Sequence, residues 1–338
     1  MAQQHRLRRP LVLLALLALP ALALASCAGG PRVPLVPDRF RIPEGFRIVG
    51  YFPSWSGDPE SIEYRALTHV CYAFARPTAE GSSEPIPNEE KLYRVSALAH
   101  EAGAEVLLSF GGGGEGDDLP LNAVAADISS TEAFIERVMD LISRYNLDGI
   151  DLDWEYPGEE TSEDFARLVG SLAARLRAEG KTLSVAVGAD GTHGRFCPDS
   201  AVEAADFLNV MAYDDGFGEP PGKNHSSYAF ARSSLDYWIV ERGAPRSKVV
   251  LGVPFYGRSL SDRHSISYYR LRKEHRVAAA DDEAGGFGYN GFDTIRAKAV
   301  NQARYRAGGI MIWQLNQDAD GEGSLLNAIY DAVKEPID

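Results

Sequence analysis

Cysteine is scarce in this chain, and what is missing with it narrows the chemistry. Three cysteines stand in 338 residues, Cys27, Cys71 and Cys197. They do not form a disulfide framework, and no Cys/His spacing matches a zinc site. No metal and no cofactor are therefore expected. Cys71, in a strand-like run, and Cys197, in a loop, read as free packing thiols. A surplus of basic charge is also lacking. The formal charge is −14, and phosphates would repel such a chain, so nucleic acid is excluded as a partner. A neutral polysaccharide would not be repelled. Histidines are few, and His193, His225 and His264 are scattered, as surface or loop residues would be. Beyond Leu24 no long apolar run occurs.

The one apolar run, Leu11–Leu24, follows Arg6, Arg8 and Arg9 and is too short and too early for a comfortable membrane span. Residues 1–26 read as a targeting segment. Leu24-Ala25-Ser26-Cys27 resembles the lipobox of bacterial lipoproteins, which implies acylation of Cys27 and a lipid anchor in a bacterial membrane or at the cell surface. Ordinary export, with cleavage near Ala25 or Ser26 and a secreted or periplasmic product, is the alternative. Residues 27–45, rich in Pro and Gly, read as a flexible tether.

From Phe46 to about residue 335 the chain alternates apolar runs with amphipathic stretches. Eight runs read as strands: Arg47–Pro53, Thr68–Ala75, Glu105–Phe110, Gly149–Glu155, Thr182–Gly188, Phe207–Tyr213, Val249–Tyr256 and Gly309–Gln314. Helical patterns cover Glu89–Ala102, Ser130–Tyr145, Ser162–Arg177 and Ser233–Arg242, with Ser129 and Glu132 at capping-box spacing. The alternation predicts an α/β fold, a closed eight-stranded β/α (TIM) barrel. A doubly wound open sheet is the alternative, and no Gly-x-Gly-x-x-Gly opening a helix is taken to support it. The segment between the last two strands is only about fifty residues, so residues 259–300 read as a short insertion, with Tyr268, Tyr269 and Phe287–Lys298 as its body. One copy of the chain is expected to act alone.

One stretch stands out, Leu147–Pro157, LDGIDLDWEYP. Asp151, Asp153 and Glu155 alternate with Ile150, Leu152 and Trp154, so one face of a strand carries three carboxylates and the other is apolar. Crowded acids in apolar surroundings are costly and share protons, which a chain needing only a core would avoid. Asp148 has the opposite parity and reads as structural. The expected strand ends carry Tyr51 and Trp55, Gly111 and Gly112, Met211 and Tyr213, Tyr256 and Arg258, and Trp313. In such barrels the working residues lie at the C-terminal ends of the strands. Polar-tipped aromatics gathered on one rim suit a sugar cleft.

Asp148, Asp151, Asp153 and Glu155 complete the pattern Asp-x-x-Asp-x-Asp-x-Glu, and the chain thereby resembles the family-18 glycoside hydrolases, the chitinase family. Ser109-Phe110-Gly111-Gly112 resembles that family's second signature, and Met211-Ala212-Tyr213-Asp214 its sixth-strand site. The resemblance runs from Arg47 to about Val333. It implies a retaining, endo-acting hydrolase of β-1,4-linked N-acetylglucosamine polymers such as chitin, working by substrate assistance. Glu155 would be the acid, its pKa raised by Asp153. Asp153 would take the acetamido N–H and share a proton with Asp151. Tyr213 would hold the acetamido oxygen, and Trp313 would floor the sugar. Asp214 and Arg258 would hold groups nearby, while Tyr51, Tyr156, Tyr256 and Met211 would line the pocket. Ser109, Gly111 and Gly112 would contribute from the third strand. Trp55 reads either as a sugar platform or as plain packing, and Ser109 either as a contact or as a small residue making room. An endo-β-N-acetylglucosaminidase acting on N-glycans and a non-catalytic surface lectin are the other functional readings.

Overall fold

The computed structural model describes residues 40–336 apart from 115, 217–222 and 263. The expected targeting segment, Cys27 and most of the tether lie outside the described residues. Eight parallel strands close into a barrel. They are β1 Arg47–Pro53, β2 His69–Ala75, β3 Glu105–Gly111, β4 Gly149–Asp153, β5 Thr182–Gly188, β6 Phe207–Met211, β7 Val249–Pro254 and β8 Gly309–Trp313. β8 pairs with β1 through Gly309↔Arg47 and the following residues, so no edge is left open. The closed barrel holds, and the open sheet falls. Gly111, Gly113 and Gly116 do fit the Gly-x-Gly-x-x-Gly spacing, and the helix Leu119–Ala126 follows them. That motif is short of a fold, because closure is decided by β8 meeting β1 at the other end of the chain.

Period-two alternation divides the strand residues between two cores. Ile48, Phe52, Val70, Tyr72, Val106, Leu108, Ile150 and Leu152 face outward into the layer between sheet and helices. Val49, Tyr51, Cys71, Leu107, Val250 and Met311 point inward and form a smaller apolar cluster. The inward positions of β3 to β6 include Ser109, Asp151, Ser184 and Asn209, all fully buried. The barrel's interior thus joins an apolar cluster to a hydrogen-bonded one. Cys71 and Cys197 are buried free thiols.

The helices follow their apolar spacing. Ser162–Ala178 buries Phe165, Leu168, Val169, Leu172, Ala173 and Leu176 along one face. Two starts differ from the sequence reading. The helix expected at Ser130 begins at Ile128, because Asp127 rather than Ser129 accepts the Ser130 N–H, at 2.8 Å. The helix expected over Ser233–Arg242 is Tyr228–Leu235, capped by Ser227, and a π-helical turn over Asp236–Glu241 follows it. The segment between β7 and β8 is also shorter as an insertion than expected. Tyr256–Ser259, Ser265–Ser267, Glu283–Ala284 and Phe287–Gly288 form a small antiparallel sheet carrying the helix Tyr268–Glu274. Phe292–Tyr305 is not part of that body. It is a helix of the barrel's own outer ring, packed on β8 and on the helix Leu325–Val333.

The helix Leu325–Val333 returns the chain to the end of the barrel where the strands begin. There Phe40–Arg41 pairs antiparallel with Glu335–Pro336. Ordered pairing thus starts ahead of the expected domain start at Phe46.

Candidate active site

β4 ends at Asp153, so Trp154 and Glu155 lie just beyond the strand rather than within it. Asp151 lies deepest. Strand register sets Ser109 of β3 and Ser184 of β5 on either side of it. Its Oδ2 accepts from the Tyr51 and Ser109 hydroxyls, each at 2.7 Å. Its Oδ1 accepts from Ser184 Oγ at 2.6 Å and Asn209 Nδ2 at 3.1 Å. Burial raises the Asp151 pKa, and these four donors pull against it. They make Asp151 the carboxyl best placed to hold a negative charge.

Asp153 differs from Asp151. It is buried, and its Oδ1 has no hydrogen-bond partner. Burial first, then the charges of Glu155 and Asp151, push its pKa well above the carboxylate range, with Arg76 pulling weakly the other way. Asp153 is thereby pushed toward its protonated form, and it borders the cavity while its buried Oδ1 finds no partner. Glu155, partly buried, is pushed up to about 7. The expected cause was Asp153. Burial is the larger one, and the charges that add to it are those of Asp214 and Asp117, while a hydrogen bond with Tyr156 opposes. A carboxyl pushed toward its protonated form has less charge with which to repel its neighbour.

The C-terminal ends of the strands open into a cleft of about 1000 Å³. Trp55, Phe74 and Trp313 make one aromatic wall. Trp313 stacks on Phe74 at 5.6 Å and 22°, and Trp55 stacks on Phe74 at 6.0 Å. Trp55 is 56% exposed, which favours the platform over plain packing. Tyr156 stands elsewhere on the lining, with the His193 ring flat against it at 4.3 Å and 17°. Met211 and Tyr213 border the same space. Burial keeps the Tyr213 phenol protonated, and among the described residues its hydroxyl reaches Met311 Sδ, at 3.9 Å. Asp214 and Arg258 form a fork, with Nε–Oδ1 at 2.8 Å and a second bond to Oδ2 at 2.7 Å. Burial alone would raise the Asp214 pKa, but Arg258 and His225 hold it below the usual carboxylate range.

Several sequence-predicted contacts fall elsewhere. Tyr51 borders the cleft, yet its hydroxyl is committed to Asp151. Ser109 is fully buried and serves Asp151 alone. Gly111 and Gly112 are turn residues. With φ of +114° and +94°, both adopt backbone that disfavours a side chain. A Cβ on Gly111 would lie 2.1 Å from the Asp153 carbonyl oxygen, and one on Gly112 would lie 2.6 Å from the Phe74 ring. It is Gly113 and Gly114 that reach the cleft, and a Cβ on Gly113 would lie 3.0 Å from the Glu155 carboxylate. Tyr256 is buried behind Asp214 and Arg258 and bonds to both. Both His193 and His225 lie in turns, as expected; His193 is exposed and lines the cleft, whereas His225 is buried against Asp214 rather than on the surface. Asp148 sits away from the site and accepts from Val106 N and pairs with His100, a structural role. Arg76 and Phe74 had not been singled out. Arg76 pairs with Asp117 at 2.9 Å beside the lining. Among the described residues no cluster of His, Cys, Asp and Glu could hold a metal ion.

An acid kept protonated near neutrality, a buried carboxyl below it with a vacant oxygen, and an aromatic wall at the mouth of a barrel are the parts of a glycoside-cleaving site. The family model for glycosyl hydrolases family 18 matches residues 47–318, and the chain belongs to that family. Chitotriosidase-1 of Mus musculus is 26% identical over 350 residues, covering 83% of this chain and 75% of that protein. Probable chitinase 10 of Drosophila melanogaster is 26% identical over 353 residues, covering 81% of this chain, which spans only 15% of the fly protein. The crystal structure of the GH18 chitinase ChiB from the chitin utilization locus of Flavobacterium johnsoniae superposes with a TM-score of 0.78 at 29% identity, covering 87% of this chain and 94% of that one.

Proposed function

We propose that the chain is a retaining, endo-acting hydrolase of β-1,4-linked N-acetylglucosamine polymers, chitin and its oligosaccharides, and that the substrate's own acetamido group is the nucleophile. The observation that carries this reading is the pair formed by Glu155, held up to about 7, and Asp153, whose Oδ1 has no protein partner. Glu155 donates its proton to the glycosidic oxygen. The acetamido oxygen attacks the anomeric carbon as the bond to the leaving sugar breaks, giving an oxazolinium ion. Asp153 accepts the acetamido N–H, Tyr213 donates to the acetamido oxygen, and the charge held on Asp151 balances the cation. Glu155, now a carboxylate, takes a proton from the water that opens the ring. The chitinase names of the mouse and bacterial relatives support the substrate class. The compact insertion between β7 and β8 supports an open groove and cutting within the polymer.

Turnover of a chitin hexamer should be set against turnover of a high-mannose glycopeptide. Cleavage of the hexamer into products of mixed length is expected. Glycan release without hexamer cleavage would move the reading to an endo-β-N-acetylglucosaminidase, and binding without turnover would move it to a lectin. The pH profile follows from Glu155. An acid whose pKa is raised keeps its proton below that value and loses it above, so kcat/KM should fall as pH rises through about 7. A profile still flat well beyond that point would remove Glu155 from the acid role.

We infer in addition that the protein is exported and acylated at Cys27, from the lipobox-like run before it. The mature protein should partition into the membrane fraction and begin at a lipid-bearing Cys27 by mass spectrometry. A lipid-free N-terminus at another residue would end this reading.

A further inference from the structure

Lys298 lies in the outer-ring helix Phe292–Tyr305 and is fully buried. A lysine in that position is costly unless its three donors are used. They are: Nζ donates to Ser226 O at 2.7 Å, Ser226 Oγ at 2.9 Å and Asn290 Oδ1 at 2.6 Å. Burial pushes its pKa down to about 7, and the Asp282 carboxylate pulls the other way.

The segment Lys298 grips backs directly onto the site. Ser226 Oγ donates to Ala212 O at 2.8 Å, and Asp215 N donates to His225 O at 3.0 Å. His225 Nδ1 lies 3.2 Å from Asp214 N and 3.1 Å from Asp214 Oδ1. The far side of the segment is pinned by Asn224, whose Nδ2 donates to Tyr289 O at 2.6 Å. Residues 212–215, which include Tyr213 and Asp214, are therefore fastened to 224–226, and 224–226 is fastened to Lys298. Asp214 needs this fastening. It has a φ of 58°, a left-handed backbone that a non-glycine residue holds only when its surroundings impose it.

We propose that Lys298 is a positioning residue of the reaction, holding Tyr213 and Asp214 in place through the segment Asn224–Ser226. The proposal rests on the reading of those two residues as parts of the catalytic site. Its effect reaches the acid by a definite route. Asp214 is among the charges that raise Glu155, so an Asp214 that drifts away lets the Glu155 pKa fall.

The test uses Lys298→Met, which keeps length and removes the donors, and Ser226→Ala, which removes only the hydroxyl joining Lys298 to Ala212. Two quantities are read in the wild type and both variants: the Glu155 titration midpoint by carboxyl-carbon NMR, and kcat and KM on a chitin hexamer. In Lys298→Met the midpoint should fall by about half a pH unit. Its kcat should fall by about 10- to 100-fold, the range in which small displacements of catalytic groups act, with KM within about threefold. Ser226→Ala should move both the same way by less. A folded Lys298→Met with wild-type midpoint and kcat overturns the proposal, and so does a loss confined to melting temperature. If Lys298→Met does not fold, an unshifted Ser226→Ala overturns it. The NMR readout needs no substrate. A shifted midpoint in Lys298→Met, with a wild type that cannot cut chitin, would sink the proposed substrate while upholding the fastening; a wild type that cuts chitin, with midpoint and kcat unchanged in Lys298→Met, would do the reverse.

Discussion

Glu155→Gln is expected to lower turnover on N-acetylglucosamine oligomers by at least about 10²-fold and by as much as about 10⁴-fold. Gln preserves the size of the side chain and removes the one proton the leaving oxygen needs. Neither Asp214 nor Asp153 is set to replace it. Asp214 is held ionised by Arg258 and His225. Asp153 is pushed toward its protonated form, but it lies deeper, within β4, whereas Glu155 lies beyond the strand's end. Affinity should survive, because Trp55, Phe74, Trp313 and Tyr156 are untouched and the aromatic surface carries most of the apolar contact. Single-turnover kinetics gives the rate, and calorimetry with an uncut oligomer gives the affinity. A variant with near-normal turnover would reassign the acid.

The second large effect is read through the substrate. If the acetamido group is the nucleophile, the unit on the non-reducing side of the cut bond must carry it. An intramolecular nucleophile can be worth an effective molarity of about 10⁵ M or more, and glucosamine without its acetyl group has no carbonyl oxygen to close the ring. Partly acetylated chitosan should therefore be cut only after acetylated units, and the first product should be the β-anomer, since two inversions give retention. Sequencing the new reducing ends and following the first product by NMR decides it. Many deacetylated units at those ends, or α-anomer first, would demand another nucleophile. Asp151 could not readily serve, because four donors already fill its oxygens at the bottom of the barrel.

The acid triplet was legible because a strand's period of two is local. Asp151 and Asp153, at alternate positions, must share a face wherever the strand ends up, and Glu155 follows just beyond its end. The barrel was legible for a related reason, since each strand and helix carries its own periodicity. What could not be read was anything set by pairing between distant strands. Ser109 and Ser184 became partners of Asp151 through register, and nothing within either strand marks them as such. Phe74 reaches the cleft from the irregular end of β2, where register shifts between Ala73 and Ala75, and Arg76 and His193 reach it from beyond strand ends, where no local pattern fixes direction. His225 looked scattered for the same reason, because its partner Asp214 is brought to it by a turn of the chain rather than by a repeat. The expected source of the Glu155 shift failed on a different point. Residue spacing shows which acids are close, but the proton's place depends on the donors each one finds, and these favour Asp151 as the charged member.

The two-stranded ribbon of Phe40–Arg41 and Glu335–Pro336 gives the molecule a handle. It lies where the strands begin, and the groove lies where they end. Both points at which the barrel can be grasped by its chain are thus on the side away from the sugar. A scaffold, bead or fusion partner joined at either point would meet the barrel on its blind side, and a long polymer could cross the groove without touching whatever holds the enzyme.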